Sequence, residues 1–172
     1  MVTFQKKNLL YKFLSQIPTL LLLISVLNEF DFNYLELKYF SFNFPFILIF
    51  YWSLKKSESL GYGIIFIAGL INDAVVGFPL GISSLAYLLI CGFAAYLRNI
   101  TLRPQIIKDW AFFSLTIMIV NSIIYSLLFL FFSFDFNYND LLVNFLFTFL
   151  FYLIFSVIFT SYTKLFFGSS ND

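Results

Sequence analysis

Six apolar runs divide this chain, at 13–28, 39–54, 59–77, 82–97, 110–134 and 141–163. Charged residues gather between the runs, with one exception: Asp73 lies inside the third. A helix needs about 20 apolar residues to cross a bilayer, within a range of about 17–25, so each run predicts a membrane-spanning helix. The first two are short, with Pro18 near the start of one and Pro45 expected to break the other. Residues 74–97 carry no charge and are long enough for one span. A break is nevertheless predicted within them. Pro79 has no backbone N–H to donate, Phe78 before it is pushed off helical geometry, and Gly77 can take the left-handed conformation that closes a helix. Ser83 or Ser84 is expected to cap the next helix. The prediction is a tight helical hairpin inside a single six-helix bundle covering 1–172.

The charges orient this bundle. With the N-terminus in the cytoplasm, Lys6, Lys7, Lys12, Lys55, Lys56, Arg98, Arg103, Lys108 and Lys164 all fall on the inner side. Only Lys38 falls outside. That distribution follows the positive-inside rule and puts both termini in the cytoplasm. Tyr11, Trp52, Tyr62, Tyr96, Trp110 and Tyr162 mark the cytoplasmic ends of the runs as an aromatic belt. The N-terminal lysines before an apolar run resemble the start of a signal peptide. Asn28-Glu29-Phe30 follows in place of a small-residue cleavage site, so an uncleaved first helix is expected.

Composition agrees and removes several function classes. The chain is 61% hydrophobic and 11% charged, against about 25% charged in soluble domains, so it belongs in a bilayer. A net charge of +1 without a basic patch argues against nucleic acid. There is no histidine, the commonest general base and metal ligand. Cys91 is alone and sits in an apolar run, where it reads as a small hydrophobe. The abundant phenylalanine reads as a bias toward one apolar residue. No phosphate-binding glycine loop, zinc-binding histidine pair or Gly-x-Ser-x-Gly turn occurs. Catalysis, a metal and a cofactor are therefore not expected.

The residues that could carry function concentrate at 69–81. Gly69, Asp73 and Gly77 repeat every four residues and share a helix face; Asn72 lies on the neighbouring stripe, and Pro79 and Gly81 follow. Small residues at this spacing let a second helix approach closely. Two readings of Asp73 stay open. In one it pairs with a hydroxyl, amide or backbone group and holds the bundle together. In the other it contacts a ligand, ion or partner. Asn72, Asn121 and Asn144 form the natural intramembrane hydrogen-bonding set, read first as glue between helices. Gly92, Ala94 and Ala95 read as a packing patch. Tyr51, Trp52, Arg98 and Arg103 are assigned to the cytoplasmic interface, with contact to anionic headgroups as the plainest role for the arginines.

The pattern Gly69-Leu70, Asp73, Gly77, Pro79-Leu80-Gly81, then a helix ending Tyr96-Leu97-Arg98, resembles the MreD family of bacterial rod shape-determining membrane proteins. Tyr51-Trp52 followed by lysines resembles that family too. The motif content covers roughly 45–103. The resemblance implies a non-enzymatic inner-membrane component of the cell-elongation complex, which directs peptidoglycan synthesis. Its implied partners are an MreC-like bitopic protein, an MreB-like filament and peptidoglycan synthases. It also implies an all-α fold similar to the substrate-binding components of vitamin transporters. The competing expectation is a solute-binding transporter component, whose mark would be a pocket of at least about 300 Å³ near Asp73 with converging polar groups.

Overall fold

The computed structural model describes residues 16–27, 42–56, 59–101, 105–134 and 137–167. Within them the chain is helical, with six helices: α1 Ile17–Leu27, α2 Phe44–Lys55, α3 Tyr62–Val76, α4 Ile82–Ile100, α5 Ile106–Phe132 and α6 Tyr138–Phe167. Three of them, α4, α5 and α6, are long and apolar enough to cross a membrane. The apolar helices α1, α2 and α3 are shorter, at 11, 12 and 15 residues. For α1 and α2, parts of the expected spans lie outside the described residues. For α3 the shortening is physical: Gly61 in extended conformation precedes it, and Gly77 at φ 79° ends it.

Pro45 starts α2 where a break was expected. Asn43 is the N-cap, and its Oδ1 accepts from the Phe46 N–H at 3.3 Å. A proline in the first turn has no intrahelical partner to lose there, and its φ suits a helix start. Helix α2 is then buried at every position from Phe44 to Leu54. A helix that is apolar all round belongs in the middle of a bundle. Accordingly α1, α4 and α6 all pack on it, while α4 also meets α3 and α5.

Of the six aromatics expected to mark the cytoplasmic ends, Tyr11 lies outside the described residues. Tyr62 and Tyr96 are exposed, at 63% and 59%. Tyr51 and Trp52, assigned to the cytoplasmic interface, are instead among the largest fully buried side chains. The reason is position: α1, α4 and α6 pack against α2, so it stays buried as far as Leu54. The Tyr51 hydroxyl meets Thr160 Oγ1 at 3.0 Å, and the Trp52 ring lies against Phe159 and Tyr162.

Phenylalanine also has more order than a composition bias implies. Phe147, Phe151, Phe155 and Phe159 form a ladder on α6 with ring centroids 6.0–6.2 Å apart. Phe42 and Phe44 lie against the Phe151, Phe155 and Phe159 rings. Phe113 of α5 stacks on Tyr152 of α6 at 4.3 Å, with Phe50 of α2 against both. The opposite side of α6 carries Leu142, Leu146, Leu150, Ile154, Val157 and Ile158, all exposed. Between Phe147 and Phe159 of α6, aromatic rings thus face the bundle and branched aliphatics face outward, a division that simple hydrophobicity does not distinguish.

Candidate functional site

The hairpin between α3 and α4 is built around Asp73, which is fully buried. Its main chain closes α3: the Asp73 carbonyl accepts from Gly77 N–H at 2.9 Å and Phe78 N–H at 3.0 Å. The second of these bonds spans six residues, as in the Schellman closure. Its side chain opens α4. Oδ2 accepts from Gly81 N–H at 2.6 Å, and Oδ1 from Ser83 N–H at 2.8 Å. The first N–H groups of a helix have no intrahelical acceptor and carry partial positive charge, so a carboxylate is their natural partner. Asp73 therefore caps α4 from another helix. Gly81, the N-cap residue, has no side chain to do so and sits at φ 103°.

The two serines expected to cap α4 do something else. Ser83 Oγ accepts from the Asn72 amide at 2.9 Å, and Ser84 Oγ donates to the Phe66 carbonyl at 2.9 Å. Both tie α4 back to α3. Gly69 lies at the point of closest approach, where an added Cβ would overlap the Ser84 backbone. Gly77 has open space around the same position, so its role is its left-handed backbone rather than close packing. Pro79 and Leu80 form the turn, and Leu80 projects outward at 76% exposure. Among the predicted residues, then, Gly69, Asn72, Asp73, Gly77 and Gly81 come together in one unit.

Beside this unit lies a cavity of about 440 Å³. Asn72 lines it from α3, Asn121 from α5 and Asn144 from α6. These three asparagines do not pair with one another as glue: Asn72 bonds Ser83, and Asn144 accepts from Thr148 within α6 at 2.7 Å through its carbonyl. Asn43, Ser25 and Tyr87 also line the cavity and were missed in the sequence. Asn43 had a legible signal, as a polar residue two positions before Pro45. Asp73 does not line the cavity, since both its oxygens are held by α4. Among the described residues no charged side chain lines it.

The opposite end of the bundle holds its polarity differently. Lys55 at the end of α2 pairs with Asp109 in the first turn of α5 at 2.5 Å. Arg98 Nη1 donates to the Ser53 carbonyl at 3.1 Å, and Ser53 Oγ donates to Cys91 Sγ at 3.2 Å. Arg98 thus bonds protein backbone at this end; Arg103 lies outside the described residues. In the small-residue patch of α4, Ala94 is buried as expected. Gly92 differs: it faces outward in an apolar depression with Leu85, Leu88, Leu89, Phe93 and Tyr96. Among the described residues no group of three or more His, Cys, Asp or Glu side chains is placed to hold a metal.

Comparison with protein families matches residues 7–162 to one described as rod shape-determining protein MreD. Neither the curated proteins nor the solved structures contain a match.

Proposed function

The chain belongs to the MreD family of rod shape-determining proteins, a membrane protein family, and on that premise we propose that it is a non-enzymatic scaffold of the cell-elongation machinery in the bacterial inner membrane. The observation that carries this reading is the family match, which spans most of the chain. Its partners in this reading are an MreC-like bitopic protein, an MreB-like filament and peptidoglycan synthases. The six helices are taken as six crossings with both termini cytoplasmic, which the one-sided distribution of lysine and arginine supports. The short α1–α3 then tilt, or sit where the bilayer thins. A bundle similar to transporter substrate-binding components is part of the same proposal and rests on the family resemblance.

The hairpin enters this proposal as a rigid presenting element. Its polar residues face inward and hold α3 to α4, which leaves Leu80 at the turn to meet a partner. Leu80→Ser is expected to keep the protein at its normal level and to cut recovery of the MreC-like partner about tenfold, equivalent to about 1.4 kcal/mol. Unchanged recovery would remove the hairpin from the interface. Normal rod shape in cells lacking the chain altogether would sink the larger reading. The competing transporter reading has the cavity behind it, whose volume exceeds the expected threshold, but the family match gives it no support.

A further inference from the structure

The cavity beside the hairpin has a chemistry of its own, independent of the scaffold reading. Carboxamides reach it from four separate parts of the chain: Asn43 before α2, Asn72, Asn121 and Asn144. Each carboxamide offers a donor and an acceptor together. Tyr87 lines the cavity as well and is 1% exposed. Tyr87 meets Phe46 edge to face, and neither its hydroxyl nor the Asn121 amide has a hydrogen-bond partner among the described residues. Neither group is sealed away from solvent, so each can hydrogen-bond an occupant.

The occupant's charge can be argued from what surrounds it. Among the described residues no carboxylate lines the cavity to neutralise a cation. An anion would seek a helix N-terminus or a basic side chain. The nearby N-terminus of α4 is already occupied, because Asp73 takes the Gly81 and Ser83 N–H groups. The aromatic residues Phe44, Phe46 and Phe78 complete the lining with apolar surface. A volume of about 440 Å³ falls within the usual range of about 300–1,000 Å³ for small-molecule sites.

We propose that this cavity is a binding site for an uncharged, ring-containing small molecule whose polar groups are hydroxyls or amides. Asn121 is the selective contact, since its amide is not committed within the protein. Asn72 serves the site differently, because its bond to Ser83 also joins α3 to α4.

The test uses the full chain in lipid nanodiscs and measures binding by calorimetry. N-acetylglucosamine and nicotinamide are the neutral probes. Glucosamine and glucuronate are charged relatives of the first. At least one neutral probe is expected to bind saturably below about 10 mM, ten times a Kd of 1 mM. The charged sugars should bind at least tenfold more weakly than that probe. Asn121→Leu should weaken the neutral probe at least tenfold while leaving the thermal unfolding temperature of the unliganded protein unchanged. The unfolding readout separates a ligand contact from a packing role. Failure of both neutral probes to bind overturns the proposal. So does equal binding of the charged sugars, or Asn121→Leu binding as the parent does. These outcomes are independent of partner recovery and cell shape.

Discussion

Among the described residues two carboxylates are buried, and they are held by different means. Asp73 is satisfied by main-chain N–H groups at the start of a neighbouring helix. Asp109 is satisfied by a lysine side chain, in the first turn of its own helix. Only the first arrangement is built into the backbone, where no change of a partner side chain removes the donors. The second depends on one flexible side chain, and that of Lys55 is 27% exposed where that of Asp109 is 4%. The difference teaches that an acid in an apolar run need not mark an ion site. It can be a helix cap delivered from elsewhere in the sequence, and it then fixes the angle of a hairpin as well as satisfying its own charge.

Substitution can break that comparison at its strongest point. Asp73→Ala leaves the Gly81 and Ser83 N–H groups buried without an acceptor. Hydrogen bonds to charged groups contribute about 1.5–3 kcal/mol each, so a loss of about 3 kcal/mol or more is expected. Asp73→Asn keeps one acceptor oxygen and should lose roughly half as much. Thermal unfolding in detergent measures both, and equal stability of Asp73→Ala and the parent would refute the capping role.

The Lys55–Asp109 pair should behave in the opposite way. Lys55→Met strands a buried carboxylate and is expected to destabilise by about 2 kcal/mol, below the fully buried range because the lysine is partly exposed. Adding Asp109→Leu should restore most of the loss, since replacing both members of a buried pair by apolar residues is often neutral. A double variant as unstable as Lys55→Met would mean that Asp109 has a second role at the start of α5. The smallest effect is expected at Gly77. Alanine there meets no neighbouring atom but must adopt φ 79°, at about 1–2 kcal/mol. A loss well above that range would show that the hairpin angle has no tolerance.

Much of the helical layout was legible because it follows from local rules. Charge-free runs marked the helices, and Gly77 with Pro79 marked the hairpin within one unbroken apolar stretch. The four-residue spacing of Gly69, Asp73 and Gly77 announced a packed face, on which Gly69 and Asp73 are buried while Gly77 has open space. Trp52 was less legible: its place at the end of an apolar run is the same whether it faces headgroups or protein. Pro45 was misread because a proline in an apolar run gives no sign of whether a helix has already begun; the cap by Asn43 settles that. Ser83 and Ser84 looked like caps because of their position, but Asp73 reaches the N–H groups at the start of α4 with both carboxyl oxygens.

By itself, then, the sequence determined the solvent, the helical class and the position of the hairpin, because those depend on hydrophobicity and on backbone chemistry within a few residues. Tertiary structure decided what Asp73 caps, which face of α6 is aromatic and protein-facing, and that asparagines from separate helices line one cavity. Each of these depends on which helices become neighbours. Residues 43, 72, 121 and 144 lie far apart along the chain, and they share one space only because α2, α3 and α5 all pack on α4 while α6 packs on α2 and α5.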